Sequence, residues 1–217
     1  MPTTTFFRLP EEKRKRLIEA CWTELTRVRF AEVSINRIIA SARIPRGSFY
    51  QYFEDKEDLT RYLLDDMREY FVCLLRSILI EAKGDLFAMP LMAYDRFISH
   101  QGHTDPMLAL FIKLLTLNKG MDLQSFMGGP KHFLPDPLWE AVDASKLRQS
   151  DREYADQVFH LACAVLAFAI VETLQAPTRD GTGAGTAHSV RVREMTKIRM
   201  DLLRYGGAAE EYEEERT

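Results

Sequence analysis

The stretch FAEVSINRIIASARIPRGSFYQYFEDKEDL, residues 30–59, decides the fold. Ser34 is placed to cap a helix carrying Ile35, Ile38 and Ile39, and Pro45 disfavours a helical residue before it, so this helix ends near Arg43. A second short helix begins at Pro45 and ends by Phe53, and Glu54-Asp55-Lys56 forms a polar break after it. Two short helices with a tight joint fit a helix-turn-helix. The second helix has to be slim at its N-terminus to enter a major groove about 12 Å wide, and Gly47 and Ser48 supply that slimness. Arg46 offers a planar fork that matches the two acceptors of guanine, while Tyr50, Gln51 and Tyr52 bring hydroxyl and amide groups for phosphates or base edges.

Working outward, Pro10 with Glu11 and Glu12 starts a helix that runs to about Arg29, with proline in the first helical position and acids facing the positive end of the dipole. Its Leu17, Cys21, Leu25 and Val28, joined by Ile18 and Trp22, make one apolar stripe. Lys13 to Arg16, ahead of the stripe, form either a solvated face or a phosphate-contacting patch. Downstream, Leu59, Leu63, Met67, Tyr70, Phe71 and Leu74 mark a long amphipathic helix from Glu57 to Ile80. Glycines and prolines cut residues 84–135 into short helices and loops. Leu138–Leu147 reads as a further helix, Asp151–Gln175 as a long apolar one, Ala176–Ala187 as a Gly/Thr-rich connector, and Ser189–Tyr205 as the last helix. No strand-like alternation appears, so the expected fold is all-α.

The formal charge of −3 hides an asymmetry: residues 1–62 hold 12 Lys/Arg against 9 Asp/Glu, and residues 63–217 hold 17 against 23. A basic N-terminal module on an acidic body suits a polyanion partner at one end. Cys21, Cys73 and Cys163 sit apart within apolar helical patterns, which predicts buried thiols in a reducing cytoplasm. The N-terminus has no apolar core of signal-peptide length, and the run Val158–Val171 is shorter than a membrane span, so no membrane partner is expected.

The segment Ile38–Leu59 resembles the signature of the TetR family of one-component transcriptional regulators, above all Arg46-Gly47-Ser48-Phe49-Tyr50-Gln51-Tyr52-Phe53 followed by Lys56-Glu57-Asp58-Leu59. The resemblance covers roughly 45 residues from Leu17 onward. It implies that Ser34, Tyr50 and Lys56 hold backbone phosphates, and that Arg46, Ser48, Gln51 and Tyr52 face bases or nearby phosphates, with Gly47 among them. Phe49 and Phe53 would be buried anchors. Two positions depart from the family: Arg29 and Arg43 stand where glycine is usual, each at a cost of about 1 kcal/mol if its φ must be positive. The resemblance further implies repression relieved by a ligand.

The expected division is a helix-turn-helix domain over residues 1–55 and a ligand-binding, dimerising domain over 56–217. Residues 84–135 hold five of the nine methionines and five of the thirteen phenylalanines with few charges, which suits an ordinary core or an adaptable apolar cavity. The candidate lining is Tyr94, Phe97, His100, Met107, Phe111, Met127, Phe133 and Trp139, open to an apolar or amphipathic small molecule. His100, His103 and Asp105 read as polar groups near that cavity; Gly102 and Pro106 interrupt the helix a metal site would need. No cofactor is expected, because Gly181-Thr182-Gly183-Ala184-Gly185 lacks the preceding strand and the lysine of a phosphate loop. The last two long helices are expected to pair with their copies in a homodimer through Val165, Leu166, Phe168, Ile198 and Leu202, so that two reading heads meet a palindromic operator. The alternatives are an all-helical enzyme or carrier using the apolar middle, and a dimeric DNA-binding protein that takes no ligand.

Overall fold

The computed structural model describes residues 1–98, 105–118, 132–174 and 184–206. Its helices are α1 (Thr4–Phe7), α2 (Glu11–Leu25), α3 (Ile35–Ala42), α4 (Arg46–Tyr52), α5 (Lys56–Glu81), α6 (Met89–Ile98), α7 (Pro106–Leu117), α8 (Asp136–Trp139), α9 (Arg152–Leu174) and α10 (Ala184–Tyr205). Short 3-10 turns stand at Phe30–Glu32 and Ala144–Lys146, and no strand occurs among the described residues. Two compact units result, Met1–Phe71 with Asp105–Phe126 and Val72–Thr104 with Met127–Thr217. The division falls inside α5, which contributes residues to both.

In the first unit α2 packs on α3, and most of the apolar stripe read from α2 is core: Leu17, Cys21, Trp22 and Leu25 are buried with Ile38, Phe49, Phe53 and Leu63, whereas Ile18 is half-buried and Val28, also half-buried, lies past the helix end. α2 stops at Leu25, short of the expected Arg29. Thr26 closes it, with both its amide and its hydroxyl donating to the Trp22 carbonyl, and Arg27 folds back onto Glu24. α1 has no counterpart in the sequence reading. It is seated on α4 by Phe6, which is fully buried against Tyr52, Phe53 and Tyr62. α7 ends at Asn118, whose Oδ1 accepts the Phe30 amide at 2.9 Å, and starts at Asp105, which caps Leu108 N–H and accepts from the Tyr70 hydroxyl at 2.5 Å.

In the second unit α6 packs against α9 and α10, and α9 packs against α10. The Tyr94 hydroxyl pairs with Thr173 at 2.8 Å and donates to the Ser189 carbonyl, while Arg193 grips Asp95 with two 2.6 Å bonds. The helix expected over Leu138–Leu147 is broken after Trp139. The Asp143 carboxylate takes both the amide and the hydroxyl of Ser145, and its own N–H goes to Gly84 O, so the chain there is held in a non-helical path. α10 begins at Ala184, ahead of the expected Ser189.

α9 is apolar on two sides. Ala155, Phe159, Ala162, Leu166, Ala169 and Ile170 are core residues, whereas Leu161, Phe168, Val171 and Leu174 face out. On α10, Met195, Ile198, Leu202 and Tyr205 form an exposed stripe at three- and four-residue steps. The run Val158–Val171 stays shorter than a membrane span; α9 as a whole is long and apolar enough to cross one by length and composition alone, a test that the core helix of a soluble protein also passes. Cys21 and Cys163 are buried as expected; Cys73 is exposed, on the outer side of α5.

Candidate nucleic-acid interface

α3 and α4 are joined by a turn whose closing residue, Arg43, adopts the left-handed conformation (φ 55°, ψ 48°). The Ile44 amide reaches back to Ile39 O at 3.1 Å, which is the closure of a helix end that glycine normally provides. Arg16 of α2 donates Nε to the Ala42 carbonyl at 3.0 Å and so satisfies an acceptor that the end of α3 leaves open. The other departure from the family pattern carries no such strain, because Arg29 has φ −65°.

Pro45 then sets the first turn of α4, and Phe49 and Phe53 anchor it. With those rings inward, Arg46, Gly47, Tyr50 and Gln51 are left exposed on the other side, with Ser48 half-buried beside them. Tyr52, expected at the DNA side, is instead a core residue: it is 8% exposed and lies against Phe6. The far end of α4 is closed by Thr3, which donates its amide to Tyr52 O and its hydroxyl to Gln51 O. The Arg46 guanidinium donates Nη1 to Asn36 Oδ1 across the turn.

Ser34 stands at the N-cap of α3 but makes no side-chain capping bond. Its amide is held by Glu24, 4% exposed, whose carboxylate also pairs with Arg27 at 2.8 Å and Arg37 at 3.0 Å. Burial alone would raise the Glu24 pKa; the hydrogen bonds from Arg27 and Ser34 N–H and the charges of Arg27 and Arg37 outweigh it and hold the group below its usual value. The buried acid thus fixes the entry of α3 to the end of α2. At the start of α5, Asp55 caps the Asp58 amide at 2.7 Å, and Lys56 Nζ donates to Ala31 O at 3.1 Å.

Of the other expected site residues, Met107 and Phe111 belong to the first unit, and Tyr94, Phe97, Phe133 and Trp139 to the second. Tyr94, Phe97, Phe111 and Phe133 are buried, Met107 and Trp139 half-buried, and His100, His103 and Met127 lie outside the described residues. The glycine-rich 181–183 also lies outside them. Among the expected pairing residues Phe168 is 57% exposed, and Ile198 and Leu202 are about as open, while Val165 is half-buried. Leu166 does not join them. It shares the inward side of α9 with Phe159, Ala162 and Ile170, so it packs its own chain's core.

An exposed basic and polar row on a short helix, held by aromatic anchors after a tight turn, defines a helix-turn-helix reading head. Residues 17–63 match the family model described as bacterial regulatory proteins, tetR family. The chain is similar to the transcriptional regulator AcuR of Cereibacter sphaeroides, 35% identical over 30% of each chain. It is also similar to the uncharacterized HTH-type transcriptional regulator YdgC of Bacillus subtilis, 33% identical over 32% of this chain and 36% of that one. Each match thus spans about a third of the curated relative's length. A TetR family transcriptional regulator from Chloroflexus aurantiacus shares the fold along nearly the whole chain, with 25% identity, a TM-score of 0.51, and coverage of 95% of this chain and 98% of that one. The match to the TetR family is thus carried by residues 17–63, and the likeness to the Chloroflexus aurantiacus regulator extends along the fold of nearly the whole chain.

Proposed function

We propose that the protein is a transcriptional regulator of the cytoplasm that binds a palindromic operator as a homodimer and is released from it by a small apolar or amphipathic effector. The observation that carries this reading is the outward row Arg46, Gly47, Ser48, Tyr50 and Gln51 on α4, inside the stretch that matches the family model. Arg46 is the base reader, set on a guanine in the major groove. Ser34, whose hydroxyl is not used in capping α3, and Tyr50 take phosphates, and Lys56 adds a phosphate contact from the start of α5 with the ammonium protons that Ala31 O does not use.

Pairing through the outer sides of α9 and α10, with Phe168, Ile198 and Leu202 in the seam, is supported by the apolar stripe those helices leave exposed. The effector class rests on the methionine and phenylalanine enrichment of residues 84–135. α5 supports the coupling, since one helix carries Lys56 in the first unit and continues from Val72 to Glu81 in the second. Effector and operator then oppose each other with a single coupling energy, typically about 1–3 kcal/mol.

The test is a titration of the DNA upstream of the protein's own gene, with a panel of single-base variants and a range of salt. Arg46→Ala should cost about 1–3 kcal/mol and relax preference at one base pair per half-site. Lys56→Ala should weaken all duplexes alike and flatten the salt slope by about one unit. Identical behaviour of the two across the panel would remove Arg46 from base reading.

A further inference from the structure

Arg46 opens α4, and Asn36 is the second residue of α3; the hydrogen bond from Arg46 Nη1 to Asn36 Oδ1 crosses the turn between them. Both side chains are exposed, on the side of the reading head away from the Phe49 and Phe53 anchors. An exposed pair of this kind contributes little to folding. Its consequence lies in what it does to the guanidinium. Arginine only donates, so the amide must present its carbonyl oxygen, and that oxygen engages one Nη1 proton. The plane of the fork is thereby oriented, and the edge formed by Nε and Nη2 keeps its two parallel donors. Two parallel donors are what the O6 and N7 acceptors of guanine require.

We propose that Asn36 is a positioning residue that aims the Nε–Nη2 edge of Arg46 at a guanine of the operator. The inference rests on α4 being the recognition helix. Without Asn36 the long side chain samples rotamers that it must give up on binding, at a penalty of about three- to tenfold in affinity for the guanine-containing duplex. The turn itself is held by other means, the left-handed Arg43 and the Arg16 bond to Ala42 O, so the loss of Asn36 leaves the reading head folded.

The experiment is a mutant cycle on the full chain with wild type, Asn36→Ala, Arg46→Ala, the double variant and Asn36→Asp, each titrated against duplexes in which every operator position is varied in turn. Asn36→Ala is expected to lower guanine preference at the same position that Arg46→Ala affects, and the double variant to bind no more weakly than Arg46→Ala alone. Asn36→Asp keeps the acceptor for Arg46, so it should retain that preference while binding every duplex more weakly through repulsion of the phosphates. Thermal unfolding of Asn36→Ala should match wild type, which separates the effect from folding. Additive losses in the double variant would overturn the proposal and give Asn36 a DNA contact of its own. Unchanged base preference in Asn36→Ala would overturn it too. If Arg46→Ala shifts no position, the reading of α4 fails first and carries this inference with it.

Discussion

Replacing Glu24 tests how the reading head is assembled. The carboxylate is buried at the junction of α2, the 3-10 turn and α3, and its loss removes three interactions. The bond from Ser34 N–H to a carboxylate is worth about 1.5–3 kcal/mol. The pairs with Arg27 and Arg37 involve guanidinium groups about half exposed, and screening limits each to about 0–1 kcal/mol. Glu24→Ala should therefore cost about 2–4 kcal/mol. Glu24→Gln keeps one acceptor but turns an NH2 toward an arginine, and should cost about 1–2 kcal/mol. The pH dependence follows from the depressed native pKa. The stabilisation is fully present above the ordinary value of 4.5 and is lost as pH falls through the lower native value, so the difference between wild type and Glu24→Gln should be constant near neutrality and shrink below about 4.5. Urea unfolding at fixed protein concentration, followed by the fluorescence of buried Trp22 in a Trp139→Phe background, reads it out. A cost for Glu24→Ala under about 0.5 kcal/mol, or a penalty for Glu24→Gln unchanged at pH 3.5, would show that the acid does not organise this junction.

Four glycine and turn substitutions give further expected outcomes. An added Cβ at Gly47 meets nothing within 4 Å, so Gly47→Ala should raise stability by about 0.5–1 kcal/mol in urea titration while weakening operator binding, because the methyl group faces the groove. Gly84→Ala should cost at least about 2 kcal/mol: φ is +76° and the new Cβ would lie 2.4 Å from the Asp143 amide nitrogen. Gly206→Ala, with φ +84° but open space, should show only the conformational part, about 1–2 kcal/mol, so equal losses at the two sites would refute the clash. Arg43→Gly should stabilise by about 0.5–1 kcal/mol by relieving the left-handed residue, and a melting midpoint lower than wild type would contradict that geometry.

Where helices carry a dense apolar stripe and a clear breaker, sequence and structure agree: Pro45 sets the start of α4, and Leu17, Cys21, Trp22 and Leu25 of the α2 stripe are core residues. Failures trace to side chains that compete with the backbone and to long-range partners. Asp143 breaks the helix expected after Leu138 by bonding Ser145, and its amide is drawn to Gly84, distant in sequence. α1 depends on Phe6 finding Tyr52 and Phe53, which no local pattern reveals. Glu24 did leave a signal. It continues the Leu17–Cys21 spacing, and an acid within an apolar stripe implies a buried, partnered carboxylate. Tyr52 and Leu166 show the limit of assigning roles by residue type, since each is turned inward by the phase of its helix. The exposed Cys73 shows the same limit for thiols.

The most direct test of the central claim is selection of bound duplexes from a random-sequence pool by the full-length protein, followed by sequencing. The account predicts one enriched motif of two inverted half-sites whose centres lie about 10–10.5 base pairs apart or a multiple of that, with guanine preference at one position in each half lost in Arg46→Ala. A pool with no enriched sequence, or a single half-site without its inverted copy, would contradict it.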